Sequence, residues 1–178
     1  MPRNVEIKAR INDLKAAKQR ISNLKSNTSE DIDVIINQED TFYNLPAGNK
    51  GKLKFRKIQG SDSELIFYER EEITGPKLSD FHRCKVPDDI KEFLSTTLGT
   101  WGIVKKVRNL IMIGQTRVHF DSVEGLGDFV ELEVVLDDKQ TVEDGQKIAS
   151  NLMSHLQIEE KDLISVSYIN MLCQNKSQ

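Results

Sequence analysis

The sequence has little of what several protein classes require. Its 178 residues include two cysteines, four prolines and one tryptophan. Cys84 and Cys173 stand far apart, so they form neither a CxxC metal motif nor a disulfide framework. This usage is typical of a reducing compartment, and we expect a cytoplasmic protein. No segment approaches the roughly 20 apolar residues of a membrane helix, and residues 1–6 lack the apolar stretch of a signal peptide.

Charge is balanced rather than extreme. Hydrophobic residues make up 38% of the chain, charged residues 30%, and the net charge is −3. This composition is typical of a globular protein and excludes a disordered one. A net negative surface does not attract nucleic acid in general. The length fits one domain, which we predict to span residues 1–178.

Most of the chain shows the alternation of β-strands, with helical spacing in a few segments. Glycine-containing turns such as 125–127 separate many of the strands. Residues 141–144 carry a helix-start signal, with Thr141 followed by Asp144. The predicted strands are 3–10, 32–38, 52–58, 64–71, 80–86, 103–108, 115–121 and 128–136, and the predicted helices are 11–25, 88–98, 141–156 and, more briefly, 165–173.

The predicted strands divide into a charged face and an apolar face. Side chains alternate along a strand, so Lys52, Lys54 and Arg56 share one face, opposite Leu53 and Phe55. The same division recurs in residues 4–10, 104–108, 117–121 and 129–134. For any single strand, the simplest interpretation is a sheet with one face in water.

The helices favour a different interpretation. They are amphipathic and need an apolar partner, which the apolar strand faces supply. About eight strands suffice to close a barrel, which removes exposed edges. Closure with the apolar face outward, beneath the helices, turns the charged faces into a cavity lining. The predicted lining contains the cations Lys8, Lys52, Lys54, Arg56, Arg70, Lys106, Arg108 and Arg117 and the carboxylates Glu6, Asp121, Glu131 and Glu133.

Such a lining indicates an anionic ligand with a metal. Uncompensated charges resist burial, so the cavity is expected to be wet and to bind a ligand. Many cations suit a highly anionic ligand, whereas the carboxylates would repel it unless a divalent cation lay between them. Glu131 and Glu133 can place two oxygens on one metal. The chemistry therefore indicates a polyphosphate held by lysine and arginine, together with Mg²⁺ or Mn²⁺.

Several segments, in order along the chain, resemble the motifs of one family. Residues 4–8, NVEIK, resemble the ExExK signature of the first strand of the CYTH, or triphosphate tunnel metalloenzyme, family. Residues 53–56, LKFR, resemble its second basic motif, and residues 106–108, KVR, its K-x-R strand. Residues 117–121, RVHFD, and 124–133, EGLGDFVELE, are similar to its closing R-x-x-x-D and G-x-F-x-E-x-E motifs.

The resemblance implies an α+β fold, a closed antiparallel eight-stranded β-barrel or triphosphate tunnel with helices packed outside. It also implies cleavage or cyclisation of triphosphates with Mg²⁺ or Mn²⁺. Residues 75–80, GPKLSD, resemble the branch that is class IV adenylyl cyclase-like. By motif position, the implied metal ligands are Glu131, Glu133, Asp121 and Glu6, and the implied phosphate-binding residues are Lys8, Lys54, Arg56, Lys106, Arg108, Arg117 and, on a looser spacing, Arg70.

Two residues depart from the family pattern. Asn4 stands where the first glutamate of ExExK belongs, and it offers a metal an oxygen without a charge. Weaker binding of a second metal is therefore expected. Lys54 stands where arginine is usual, which keeps the charge but loses the bidentate fork.

Three functions remain open from the sequence. The first is a metal-dependent hydrolase of inorganic tripolyphosphate or of a triphosphate ester such as thiamine triphosphate. This reaction requires the fewest specific features of the site. The second is an adenylyl cyclase that converts ATP to cyclic AMP, and the third is a triphosphate-binding protein with weak turnover. Lys8 is the candidate catalytic residue, as a proton acceptor or as a plain phosphate clamp. The expected partner is a small triphosphate, without nucleic acid or membrane, in a monomer or homodimer.

Overall fold

The computed structural model describes residues 3–24, 33–69 and 77–175. These residues form eight strands, four α-helices and one short 3₁₀-helix (Glu160–Asp162). The strands are β1 (Arg3–Arg10), β2 (Asp33–Tyr43), β3 (Lys52–Ile58), β4 (Ser63–Glu69), β5 (Lys77–Val86), β6 (Thr100–Ile113), β7 (Thr116–Val123) and β8 (Gly127–Leu136), and the α-helices are α1 (Leu14–Ser22), α2 (Ile90–Leu98), α3 (Val142–Leu156) and α4 (Tyr168–Asn175).

The strands close into an antiparallel barrel. Their order around it is β1-β5-β4-β3-β2-β6-β7-β8, and β8 pairs back to β1. In that closing pair Glu6 lies opposite Glu133 and Lys8 lies opposite Glu131. The predicted α+β fold, with a closed eight-stranded barrel, is therefore confirmed.

Two strands, β2 and β6, extend furthest beyond their predicted ends. β2 continues to Tyr43 rather than ending at residue 38, and β6 spans Thr100–Ile113 rather than 103–108. Asp40 interrupts the β-rich pattern of β2, because aspartate is unfavourable in strands unless a partner compensates for it. The end of β6 is apolar on both faces, so its sequence lacks the alternation that predicts a half-buried strand.

The hydrophobic core lies outside the barrel wall, beneath the helices. Val5 and Ile7 of β1 are almost fully buried and belong to the same core cluster as Ala149 and Leu152 of α3. A Cβ at Gly145 would lie 2.7 Å from Val5 Cγ2, so α3 can approach β1 this closely only with glycine there. The apolar strand faces therefore point outward, which leaves the interior to the charged faces.

A second core cluster seats α4 against the barrel. Phe129 of β8 and Tyr168 of α4 meet edge to face, with ring centroids 5.0 Å apart. Ile169 lies so close to β6 that a Cβ at Gly102 would be 2.6 Å from its Cδ1. None of the described helices has both the length and the apolar character needed to cross a membrane.

Candidate functional site

The barrel encloses a cavity of about 460 Å³. All eight strands contribute lining residues, and Ser167 and Tyr168 add to the lining from the segment at α4. Among the described residues, Lys52 and Asp121 of the predicted set are not in the lining, and Arg70 lies outside the described residues. The structure brings the remaining predicted site residues together around the cavity: Glu6, Lys8, Lys54, Arg56, Lys106, Arg108, Arg117, Glu131 and Glu133.

Asp121 lies directly behind the lining and holds two of its cations. Its side chain is fully buried on β7. Arg108 donates to it through two hydrogen bonds of 2.6 Å each, from Nε to Oδ1 and from Nη2 to Oδ2. Lys106 Nζ lies 2.9 Å from Oδ2, and the hydroxyl of Tyr168 donates to the same oxygen at 3.0 Å. We call Asp121, Lys106 and Arg108 the β6 cluster.

Burial and the paired charges shift the pKa values of the three members of the β6 cluster in different directions. Burial opposes ionisation of Asp121, but Lys106 and Arg108 outweigh it and lower its pKa. Burial also opposes the charge of Arg108, yet the carboxylate of Asp121 raises its pKa. The pKa of Lys106 is lowered, by burial and then by the neighbouring charge of Arg108. Asp121 therefore holds both Arg108 and Lys106 at the cavity wall.

Glu131 lies next to this cluster on β8. Its Oε1 is 3.0 Å from Lys8 Nζ, and its Oε2 accepts a hydrogen bond from Arg108. Burial alone would favour its neutral form, but Lys8 and Arg108 hold its pKa well below the usual value. Glu131 is therefore an ionised carboxylate at the cavity surface.

Glu133 lies two residues further along the same face. Its Oε1 accepts a hydrogen bond of 2.6 Å from Asn4 Nδ2 and one of 3.0 Å from Arg117 Nη1. His119 Nε2 lies 4.0 Å from its Oε2. Burial lowers the pKa of His119 well below its usual value, so this histidine is neutral near pH 7. Among the predicted phosphate-binding cations around the cavity, Arg117 is the most exposed, with 43% of its side chain accessible to solvent.

On the other side of β6 from β7, Asp40 of the adjoining strand β2 forms a second cluster that sequence reasoning missed. Arg56 donates to both of its oxygens, at 2.8 Å from Nε and 2.9 Å from Nη2. Lys54 Nζ and Gln38 Nε2 each lie 3.0 Å from Oδ2. We call Asp40, Lys54 and Arg56 the β3 cluster. It repeats the β6 cluster, because each aspartate holds a Lys-x-Arg pair of a neighbouring strand.

Protonation in the β3 cluster is set by burial and by the paired charges. Burial opposes ionisation of Asp40, but the adjacent cations Arg56 and Lys54 hold its pKa far below the usual value. Burial, followed by the charge of Arg56, lowers the pKa of Lys54 to about 7. Lys54 is therefore a cation whose charge changes near neutral pH.

A sequence signal for the missed residues exists but is weak. Ile36, Gln38, Asp40 and Phe42 alternate along β2 and all line the cavity. Extending β2 through residue 42 would have placed Asp40 beside Arg56, its partner in the sheet register. For Tyr168 we find no comparable signal, because only packing of α4 against the barrel brings it to the cavity.

The carboxylates and amide around Glu133 supply the oxygen donors that Mg²⁺ and Mn²⁺ prefer. Glu6, Glu131 and Glu133 line one side of the cavity. Asn4 Oδ1 is buried and has no hydrogen-bond partner among the described atoms. The described histidine, cysteine, aspartate and glutamate side chains form no preorganised group of three around a metal position. The donor set thus fits a metal held by one or two carboxylates, with phosphate and water as further ligands.

Comparison with known proteins assigns the class. The model of the CYTH domain family matches residues 2–168, which is most of the chain. The chain therefore belongs to the CYTH domain family, as its motifs predicted.

Individual relatives agree with this assignment. The chain is 26% identical over 178 residues to adenylate cyclase CyaB of Aeromonas hydrophila, covering 96% of this chain and 88% of that protein. A solved structure from Pyrococcus horikoshii OT3 superposes with a TM-score of 0.78 at 25% identity and covers 94% of this chain and 98% of its own. A protein from Hippeastrum, named as an adenylyl cyclase with a dominant triphosphatase activity, is 13% identical with a TM-score of 0.66 and covers 98% and 96% of the two chains. At that identity the likeness concerns the fold alone.

Proposed function

We propose that this chain hydrolyses triphosphates, either inorganic tripolyphosphate or an ester such as thiamine triphosphate, with Mg²⁺ or Mn²⁺. The observation that carries the proposal is the pair of Lys-x-Arg clusters that line one cavity from β3 and β6, the two strands that flank β2 in the barrel. Lys54 and Arg56 face it from β3, and Lys106 and Arg108 from β6. Together they present four neighbouring cationic groups to a ligand in the cavity.

The carboxylates on the β8 side are the expected metal ligands. Glu131, Glu133 and Glu6 would bind Mg²⁺ or Mn²⁺, which supplies Lewis-acid stabilisation of phosphate charge. Asn4 Oδ1 is a neutral oxygen available beside them. Asp121 was also predicted as a ligand. That assignment stays a prediction. In the structure, the carboxylate of Asp121 binds Lys106, Arg108 and Tyr168.

The residues of the chain supply position and charge. Phosphoryl transfer spreads negative charge over the phosphoryl oxygens, and fixed cations stabilise that charge without reorganising. Arg56 and Arg108 are held in place at the cavity because the Nε and Nη2 atoms of each bind an aspartate. Lys8 lies 3.0 Å from Glu131, where it would either clamp a phosphate or accept a proton from the attacking water.

An adenylyl cyclase is the second candidate. The relative from Aeromonas hydrophila is named as one and is similar over 96% of this chain. The same phosphate-binding clusters would then hold ATP, and the ribose hydroxyl would replace water as the nucleophile. Measuring cyclic AMP separates the two reactions directly.

The test is an assay of the purified full chain with tripolyphosphate, thiamine triphosphate and ATP, each with Mg²⁺ or Mn²⁺. Released phosphate and cyclic AMP are both measured. We expect metal-dependent phosphate release and a fall in kcat of about 100-fold or more in Glu131→Gln. Glu124→Gln, on an exposed turn, is the matched control. Full activity in Glu131→Gln contradicts the assignment of that residue, and binding without turnover of any substrate indicates the third, non-catalytic function.

A further inference from the structure

Tyr168, the first residue of α4, lies in contact with three charged groups of the cavity. Only 6% of the residue is exposed. Its hydroxyl donates to Asp121 Oδ2 at 3.0 Å. Its ring lies under two ammonium groups, with its centroid 3.8 Å from Lys8 Nζ and 5.0 Å from Lys106 Nζ. One neutral side chain thus contacts a carboxylate and both lysines of this side of the cavity.

We infer that Tyr168 is a positioning residue, which holds Lys8 and Lys106 in place for an anionic ligand. This inference deepens the proposed function and rests on it. The negative face of an aromatic ring attracts cations, most strongly where water is excluded. A ring adds no net charge, so it fixes the two ammonium groups without adding a carboxylate that would repel phosphate.

The hydroxyl of Tyr168 also connects the ring to Arg108. It donates to Asp121, which in turn accepts hydrogen bonds from Nε and Nη2 of Arg108. Through this one side chain α4 is connected to both the carboxylate and the lysines.

The helix that carries Tyr168 is firmly seated. Ile169 occupies the space over Gly102, and Phe129 packs against the Tyr168 ring with a centroid separation of 5.0 Å. The orientation of the ring is therefore determined by packing of α4 and does not depend on a bound ligand. This preorganisation is what a positioning residue requires.

The experiment compares Tyr168→Phe, which keeps the ring, with Tyr168→Leu, which removes it. Gln174→Ala, which changes an exposed residue of the same helix and no cavity residue, is the control. Tripolyphosphate affinity is measured by calorimetry without metal. We expect about a tenfold loss in Tyr168→Leu, at most about a threefold loss in Tyr168→Phe, and wild-type affinity in Gln174→Ala.

A spectroscopic measurement tests the contact without any activity. In protein with ¹³C-labelled lysine, the Hε signals of Lys8, assigned with Lys8→Arg, should be shifted upfield by the ring in wild type and Tyr168→Phe. An unshifted wild-type signal, or equal affinities of the Leu and Phe variants, overturns the inference. If wild type does not bind tripolyphosphate, the proposed function fails, while the Lys8 signal still decides the ring contact. The wild-type and Phe proteins suffice for that decision if Tyr168→Leu does not fold.

Discussion

The β3 and β6 clusters use the same chemistry in two surroundings. In each, an aspartate on one strand accepts hydrogen bonds from Nε and Nη2 of an arginine and from Nζ of a lysine, both on a neighbouring strand. The side chain of Asp121 has no exposed surface, and those of Lys106 and Arg108 expose 5% and 9%. In the β3 cluster, Lys54 and Arg56 expose 13% and 19%.

The difference lies in the neighbours. The β6 cluster is joined to Glu131 through Arg108 and to α4 through Tyr168, so it is part of a network with the predicted metal and catalytic residues. The β3 cluster has Gln38 as its additional partner at Asp40. Under the proposed function, we therefore expect the β6 cluster to organise the reacting end of the ligand and the β3 cluster mainly to supply charge.

The largest effect should come from removing one aspartate charge. Breaking a buried ion pair from one side leaves uncompensated cations, so Asp121→Asn should lower the free energy of unfolding by about 3–5 kcal/mol. Asp40→Asn, in the less buried cluster, should lower it by about 2–3 kcal/mol. Urea unfolding of both variants measures the difference. Equal losses would show that the additional partners of Asp121 do not contribute.

A smaller effect should appear in the pH dependence of binding. Lys54 has a pKa of about 7, so it is charged below that pH and loses its charge above it. An anion binds the charged form, and tripolyphosphate affinity should fall as the pH rises from about 6 to about 8. Lys54→Arg stays charged, so its affinity for tripolyphosphate should depend less on pH. Calorimetry of both proteins in matched buffers measures the two pH profiles. Identical pH profiles of the two proteins would exclude Lys54 as the titrating group.

The smallest effects should come from exchanging arginine for lysine. Lysine keeps the charge but loses the second arm of the fork, which we expect to cost about 1–2 kcal/mol in stability. Arg108→Lys should lose more than Arg56→Lys, because Arg108 also donates to Glu131. Arg108→Lys should also lower kcat, whereas Arg56→Lys should mainly raise KM. The opposite order in kcat would reverse the roles given to the two clusters.

Much of the fold follows from patterns that are local in the chain. Alternation predicted strands in all eight places, and the Thr141–Asp144 capping box predicted the start of α3. Which face of each strand is charged also followed from alternation, because side chains on a strand have a period of two. Closure with charges inside needed one more step, namely that amphipathic helices must cover the apolar faces.

The sequence by itself determined the strands, their charged faces and the family motifs, because each depends on residues a few positions apart. The tertiary structure alone decided which groups meet. Asp40 acquires its role only when β2 pairs with β3, and Tyr168 only when α4 packs against the barrel. Asp121, for which the motif position implies a metal, also receives donors from three residues of β6 and α4. Contacts between distant segments depend on closure and packing, which no short-range pattern encodes.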